Sequence, residues 1–82
     1  MHKIKEVKVL SEYILLITFT DGTKKKYDCS RLFKENPVFN KLKNKAIFKN
    51  VSVDPGGYGI SWDSETDLSE FEVWEKGTDY SG

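Results

Sequence analysis

The sequence has very few of the residues from which disulfides and zinc sites are built. It contains one cysteine, Cys29, and one histidine, His2, in 82 residues. A disulfide within the chain needs a second cysteine, and a structural zinc site needs a full set of cysteine and histidine ligands. Both features are therefore excluded, and a reducing, cytoplasmic setting is expected.

Long apolar runs are also lacking. The first ten residues, "MHKIKEVKVL", alternate lysines with aliphatic residues, and no apolar stretch reaches membrane length. We therefore predict neither a signal peptide nor a membrane partner.

The net charge is zero, but it is divided unevenly along the chain. Residues 1–50 hold twelve Lys and Arg against five acids, a net of +7, whereas residues 51–82 hold Lys76 against eight acids, a net of −7. This division could steer a charged partner or favour head-to-tail self-association. We favour the alternative that the two halves pack together and neutralise each other.

The first half of the chain predicts a β-hairpin. The strand-like runs "YILLITFT" (13–20) and "KKKYDC" (24–29) flank Asp21-Gly22, a strong turn signal. A three-residue loop over residues 20–22 places Leu15 opposite Tyr27 and gathers the apolar residues on one face, whereas a two-residue loop divides them. We therefore predict the three-residue loop, with Gly22 at positive φ.

That register leaves Ile14 and Leu16 on the opposite face of the sheet. They need a cover, either from the later helices, which is the simpler account, or from a second copy of the chain. A homodimer would use this face, and we name Ile14 and Leu16 as candidate partner-contact residues.

The remaining pattern predicts short helices and a second hairpin. Asn36-Pro37 begins a helical segment that breaks near Asn44, and Ser69 caps a last helix that Phe71, Val73 and Trp74 dock onto the sheet. Between these helices, residues 51–53 and 59–62 alternate like strands. The predicted fold is α+β, a mostly antiparallel sheet of about five strands with short helices after strand 3 and at the C-terminus. Residues 1–77 form one domain, and residues 78–82 a flexible tail.

The stretch "DPGGYGISWD" (54–63) places three glycines beside Tyr58. It lacks the lysine and hydroxyl of a phosphate-binding loop, a strand rather than a helix follows it, and its surroundings are acidic. A turn between two strands is the better interpretation. Tyr58 then has no structural task, which makes it the first candidate for partner contact.

No catalytic, cofactor or metal site is predicted. "DSETD" (63–67) begins like a calcium loop, but Leu68 stands where that loop needs glycine and Trp74 where it needs glutamate. Cys29 is in phase with Tyr27 on the apolar face, so a buried, unreactive thiol is expected.

Nucleic-acid binding has more support from the residues. Lys24, Lys25, Lys26 and Arg31 could form a basic strip beside tyrosines. Against this, alternate lysines of a strand point to opposite faces, and the pI of about 6.6 is low for such a domain.

The order of these motifs resembles a known family. "YILLITFTDGTKKKYDCSRLF" is followed by Pro-x-Phe-x-x-Leu, Phe-x-x-Val-x-Val, Gly-x-x-x-Trp and Asp-Leu-Ser. From Ile4 to Trp74 the chain resembles the bacterial domain-of-unknown-function family 2442. The resemblance implies a small α+β domain, in some relatives joined to a helix-turn-helix domain, and a gene beside that of another small protein, as in toxin–antitoxin pairs. It brings no catalytic or ligand residues.

The leading hypothesis is a non-enzymatic, cytoplasmic protein-interaction module that acts as the accessory or antitoxin-like partner of a neighbouring small bacterial protein. The alternative is a nucleic-acid-binding accessory domain that uses the basic N-terminal half. A small enzyme comes third, and a deep pocket that gathers acidic residues would favour it.

Overall fold

The chain forms two antiparallel sheets with short helices between them. The computed structural model describes residues 2–81. Its strands are β1 (Ile4–Ser11), β2 (Ile14–Phe19), β3 (Lys24–Asp28), β4 (Ser52–Val53), β5 (Gly59–Asp63), β6 (Thr66–Ser69) and β7 (Thr78–Asp79). Its α-helices are α1 (Leu32–Glu35), α2 (Lys45–Phe48) and α3 (Glu70–Lys76), and 3₁₀ helices span Cys29–Arg31, Pro37–Lys43 and Pro55–Gly57. One sheet has the order β1-β2-β3-β7, and the other β4-β5-β6.

The β2–β3 hairpin has the predicted register. Leu15 pairs with Tyr27 and Ile17 with Lys25. The Phe19 N–H donates to the Thr23 carbonyl over 2.8 Å, which closes a three-residue loop, and Gly22 has a φ of +93°. The prediction of the loop and of the glycine conformation is confirmed. The register places Leu15, Ile17 and Phe19 on one face, which we name the core face.

The helices begin where the sequence predicts. The Asn36 side chain accepts from the Val38 N–H over 3.1 Å, and the Asn44 side chain accepts from the Ala46 N–H over 2.9 Å. Ser69 Oγ likewise accepts from the Glu72 N–H over 3.1 Å. Each of these side chains satisfies a main-chain donor that a helix start leaves free. The first helical turn, at Cys29–Arg31, is capped by Asp28, whose carboxylate accepts from both the Ser30 N–H and its hydroxyl.

All three α-helices contribute to one apolar core on the core face. The core brings together residues from five strands and from the helical segments: Ile4, Leu15, Ile17, Phe19, Tyr27, Cys29, Leu32, Phe39, Leu42, Phe48, Ile60, Leu68 and Val73. Trp62 packs against this core and donates its indole N–H to the Phe48 carbonyl over 3.0 Å. In a chain of this size most of the large apolar residues are needed to form such a core.

Two strands are additional to the predicted five, and the strands divide into two sheets. β6 directly precedes the Ser69 cap, in a segment for which the sequence predicts no strand, and it pairs with β5 through Ile60–Leu68 and Ser61–Asp67. β7 occupies the first residues of the predicted tail 78–82, where Thr78 pairs with Lys26 and Asp79 with Lys25. β7 thus extends the first sheet past residue 77, and the Tyr80 N–H donates to the Lys24 carbonyl over 3.0 Å.

Gly22 and Gly57 both have positive φ but differ in their surroundings. A Cβ on Gly22 would meet nothing within 4 Å, whereas a Cβ on Gly57 would lie 2.6 Å from the Ile4 carbonyl oxygen. Gly22→Ala therefore incurs the backbone cost alone, about 1–2 kcal/mol. Gly57→Ala adds a main-chain overlap, so we expect it to lower the free energy of unfolding by more. Urea unfolding of both variants checks the ranking, and an equal loss would contradict it.

Candidate functional site

The glycine-rich stretch is a turn between β4 and β5, as predicted. The Asp54 N–H donates to the Gly59 carbonyl over 2.9 Å, and the Gly57 N–H donates to the Asp54 carbonyl over 2.9 Å. Val53 pairs with Ile60 on the two strands that the turn joins. Since Gly57 also approaches the main chain of Ile4, the turn packs against the start of β1.

Tyr58 stands at the end of this turn with half of its surface exposed. Its relative exposure is 51%, and Lys3 Nζ lies 5.5 Å from the centre of its ring. The ring also lies over Gly56, where a Cβ would come within 2.5 Å of it. Tyr58 therefore has a defined position although it contributes nothing to the core.

The prediction that Phe71 docks α3 onto the sheet is wrong. It is 66% exposed, the highest exposure among the large apolar residues of the described chain, whereas Val73 is fully buried. The helix advances about 100° per residue, so Phe71 points about 200° away from Val73 around the axis. Sequence reasoning missed this because it grouped three apolar neighbours. The Ser69 cap fixes where the helix starts, and with Val73 inside, the spacing alone could have placed Phe71 outside.

Tyr58 and Phe71 are brought to the same end of α3. The Glu70 N–H donates to the Tyr58 carbonyl over 2.9 Å, and Phe71 is the next residue. Glu75, exposed and four residues after Phe71, is its neighbour along the helix surface. We name Tyr58, Phe71 and Glu75 the Tyr58–Phe71 surface. Exposed aromatic residues of this kind are typical of protein contact sites.

Ile14 and Leu16 lie half-buried on the face opposite the core face, and neither packs against the core. The buried residues of α1, α2 and α3 all belong to the core, so they do not cover these two side chains. The expected helix cover is limited to Arg31 and Lys76, which share a groove with Ile14. In the sheet Leu16 pairs with Lys8 and Lys26, so a lysine stands on each side of it across the strands. We name the face that carries Ile14 and Leu16 the open face.

The predicted basic strip is divided by the pleat of β3. Lys25 points to the core face, where its Nζ lies 4.6 Å from the centre of the Trp74 ring and 3.5 Å from an Asp79 carboxylate oxygen. Lys24 and Lys26 point to the open face. The structure thus does not bring the three lysines together.

Arg31 belongs to a separate cluster with Tyr27 and Glu72. The Tyr27 hydroxyl donates to Glu72 Oε2 over 2.7 Å, and the Arg31 guanidinium donates to the same oxygen over 3.1 Å. Burial, together with the bond to Glu72, raises the pKa of Tyr27 well above its usual range. The cluster ties α3 to β3 and to the helical turn that follows it.

Arg31 nevertheless shares one groove with Lys26. A groove of about 300 Å³ between the open face and the end of α3 is lined by Lys26, Arg31, Lys76, Asp28, Ile14 and Thr78. Three cations and one carboxylate therefore surround a single depression.

The charge division along the sequence is partly neutralised within the fold. Among residues 2–81, three ion pairs join the two halves: Lys25–Asp79 at 3.5 Å, Arg31–Glu72 at 3.1 Å and Lys41–Asp63 at 3.0 Å. The hydrogen bond from Lys41 also holds the pKa of Asp63 below its usual value. The Asp63 carboxylate thus already has a cationic partner, and it also accepts a hydrogen bond from the Glu65 N–H, as in a turn.

Three carboxylates gather in a groove of about 380 Å³ beside α3. Glu35, Asp67 and Glu72 line it together with Asn36, Ser69 and Lys76. Glu35 and Asp67 are exposed, and Glu72 is held by Tyr27 and Arg31. No group of three or more His, Cys, Asp or Glu residues within 2–81 has an arrangement that could hold a metal ion.

Cys29 and His2 lie in different surroundings. Cys29 is fully buried, and burial raises the pKa of its thiol to about 12. His2 stacks on Trp74, with ring centres 3.4 Å apart and planes within 3°. The cysteine thus has the buried environment that the sequence predicts, and the histidine is held against α3 rather than beside the thiol.

Comparison with family models identifies the family of the chain. The model of a protein of unknown function, DUF2442, matches residues 4–79. The chain belongs to the DUF2442 family. The resemblance inferred from the order of the motifs is thereby confirmed, and β7 lies at the end of the DUF2442 segment.

The other comparisons add no relative. No curated protein matches the chain, and no solved structure matches it. Within residues 2–81, no helix has the length and apolar character needed to cross a membrane.

Cys29 allows a direct test of the buried environment. At pH 8 we expect a thiol reagent such as dithionitrobenzoate to label the protein in urea but not under native conditions, because the folded thiol stays protonated and inaccessible. Equal labelling rates in both conditions would contradict the structure.

The same burial gives a pH dependence. An unfolded thiol loses its proton near pH 9, whereas the folded one holds it to about pH 12. Below pH 9 the thiol has no effect on the pH dependence of stability; above it, the free energy of unfolding falls by up to about 1.4 kcal/mol per pH unit. Tyr27 acts in the same direction above pH 10. Urea titrations from pH 8 to 11, with Cys29→Ala as the comparison, measure how much of the fall in the free energy of unfolding comes from the thiol.

Proposed function

We propose that this protein is a non-enzymatic protein-interaction module that works in the bacterial cytoplasm. Its partner is the small protein encoded by a neighbouring gene, in the manner of an antitoxin and its toxin. The observation that carries the proposal is the Tyr58–Phe71 surface: these are the two most exposed aromatic residues of the described chain, and the hydrogen bond from the Glu70 N–H to the Tyr58 carbonyl brings the main chain before Phe71 to that of Tyr58. Residues that bind partner proteins are enriched in such aromatic side chains.

The energetics favour a partner at this surface. Phe71 lies on a helix of seven residues that is anchored by Val73, by the Glu72 cluster and by Trp74. Its own ring is two-thirds exposed and adds little to that anchoring. An aromatic residue that is presented by a fixed helix loses little entropy when it enters a pocket, which makes it an efficient contact.

The charges around the surface indicate the chemistry of the partner. Residues 51–82 carry a net charge of −7 and Glu75 lies beside Phe71, whereas Lys3 Nζ lies over the Tyr58 ring. A partner with an apolar pocket and a basic group that faces Glu75 complements the Phe71 side of this surface, since opposite potentials speed association and reject competitors.

Co-expression with the adjacent gene product tests the proposal. We expect the two proteins to form a complex at micromolar concentration, and we expect Phe71→Ala to weaken it by at least about tenfold, as for a residue at the centre of an interface. Tyr58→Ala should act in the same direction. Calorimetry or fluorescence anisotropy of the purified pair provides the affinities.

A matched control is Leu10→Ala, which removes exposed apolar surface at the far end of β1. It should leave the affinity unchanged. The proposal fails if no complex forms at micromolar concentration, or if the Tyr58 and Phe71 variants bind as tightly as the wild type.

Nucleic-acid binding is the second candidate, and the groove shared by Lys26, Arg31 and Lys76 favours it. Lys24 and Lys26 on the open face would meet phosphates, and Tyr80, whose ring centre lies 5.9 Å from Lys26 Nζ, would meet a base.

For this candidate we expect a fluorescein-labelled single-stranded oligonucleotide to bind with an affinity that falls steeply with salt. The double variant Lys24→Glu/Lys26→Glu should abolish the binding, whereas Lys5→Glu/Lys34→Glu, with the same net charge, should retain most of it. Absence of binding at low salt rejects the candidate.

A further inference from the structure

The groove of about 380 Å³ beside α3 has an apolar floor as well as acidic walls. We name it the carboxylate groove, because Glu35, Asp67 and Glu72 line it. The apolar residues that line it are Leu32, Phe39 and Leu68. These are the three core residues that retain the most exposure, at 4%, 8% and 7%, whereas every other residue of the core is 3% exposed or less. The apolar core therefore reaches the surface of the described chain at this groove.

One side of the carboxylate groove is the edge of the second sheet. β6 ends the order β4-β5-β6, so it has a neighbouring strand on one side only. The consecutive residues Asp67, Leu68 and Ser69 all line the groove, and Asp67 and Ser69 are exposed. Groove space rather than protein therefore adjoins this part of β6.

The main-chain groups of Asp67 point away from β5. Along β5, hydrogen bonds alternate between the two neighbouring strands. The Gly59 carbonyl accepts from the Asp54 N–H on the β4 side, whereas the Tyr58 carbonyl accepts on the β6 side, each over 2.9 Å. Ser61, two residues after Gly59, therefore also bonds towards β4, and its partner on β6 is Asp67. The N–H and carbonyl of Asp67 are consequently directed to the free edge.

Asp67 thus presents an unpaired donor and an unpaired acceptor beside the groove. Neither its N–H nor its carbonyl makes a main-chain hydrogen bond outside the sheets to any residue from 2 to 81. An extended chain that lies along β6 would pair with both groups, as in strand addition. Since successive side chains of a strand point to opposite faces, its neighbouring residues would lie in turn beside the buried Leu68 and beside the exposed Asp67 side chain.

The charges at the groove select a basic occupant. Glu35 and Asp67 are exposed, and neither has an ion-pair partner among residues 2–81. Glu72 differs from them, because Arg31 lies 3.1 Å from one of its oxygens and Lys76 lies 3.8 Å from the other. Lys76 therefore offsets Glu72, and two carboxylates are left for the lysine or arginine side chains of a ligand.

Two other occupants fit the carboxylate groove poorly. Pairing of the β6 edges of two copies of the chain would bring their Asp67 carboxylates together, and like charges across a strand pair are destabilising. A metal ion would need a group of three or more His, Cys, Asp or Glu ligands, and residues 2–81 hold no such group. A basic segment with one apolar side chain complements the carboxylates, the floor and the edge together.

We propose that the carboxylate groove binds an extended basic segment of another protein. The main chain of the segment pairs with Asp67, and one apolar side chain contacts Phe39 and Leu68. A neighbouring lysine or arginine pairs with the carboxylate of Asp67 or Glu35. Main-chain bonds supply affinity in such strand addition, and the side-chain contacts supply specificity.

The carboxylate groove is separate from the Tyr58–Phe71 surface, and the proposal does not rest on the proposed function. Glu72 and Lys76 line the groove, and on α3 they point about 100° and about 140° away from Phe71 around the helix axis. The two sites can therefore be tested one at a time.

Selection from a phage-displayed library of random linear peptides on the folded protein tests the site. Because side chains alternate along the bound strand, we expect the enriched peptides to share an apolar residue with a lysine or arginine directly beside it. Enrichment of acidic peptides, or of no common pattern, would overturn the proposal.

Synthetic forms of a selected peptide separate the groove from general attraction between charges. A peptide with the same composition in scrambled order carries the same charge, and it should bind at least about tenfold more weakly. N-methylation of the backbone at alternate positions should weaken binding to a similar extent, because it removes main-chain donors. Equal binding of all three peptides, measured by fluorescence anisotropy, would reject the proposal.

A matched pair of variants locates the peptide. Asp67→Lys should weaken binding about tenfold, whereas Glu65→Lys makes the same change in net charge at an exposed residue that does not line the groove, and it should leave the affinity nearly unchanged. Thermal unfolding of each variant confirms that the fold is retained before its affinity is compared. The proposal is wrong if both variants reduce binding equally, or if Asp67→Lys binds as tightly as the wild type does. Phe71→Ala should have no effect on peptide binding, so the outcome at this groove is independent of that at the Tyr58–Phe71 surface.

Discussion

The register between β2 and β3 is the constraint on which the rest of the structure depends. Gly22 allows a three-residue loop, and that loop alone puts Leu15, Ile17 and Phe19 on the same side as Tyr27. A slip of one residue would exchange the faces of the hairpin. The helices then pack where these apolar residues are, which leaves Ile14 and Leu16 on the open face and separates Lys25 from its two neighbours.

The features that could be predicted from the sequence are those with a local physical cause. Gly22, Asn36, Asn44 and Ser69 act on main-chain groups within a few residues, so their roles follow from short patterns. Cys29 follows from the alternation along β3. The family could also be inferred, because it depends on the order of such motifs rather than on any contact between them.

The features that could not be predicted depend on partners distant in the chain. β7 is a short, polar segment that becomes a strand only because β3, about fifty residues earlier, offers it a free edge. β6 is the exception, since its partner β5 directly precedes it, but its polar residues give no strand pattern. Phe71 was misplaced because three apolar neighbours cannot all face one side of a helix, and only the packing of Val73 decides which does. A groove lined by Val9, Tyr13 and Phe48 has no local signal either, since it combines residues from β1, the β1–β2 turn and α2.

The short length of α3 has a consequence for how a partner would affect the whole molecule. Seven residues cannot maintain a helix alone in water, so α3 exists only while Val73, Trp74 and Glu72 keep their contacts with the rest of the fold. Phe71 is consequently presented only by the folded state. Binding at Phe71 and folding are therefore thermodynamically linked. A protein that binds Phe71 stabilises the folded state as a whole, including the contacts of α3 with Tyr27 and Phe19.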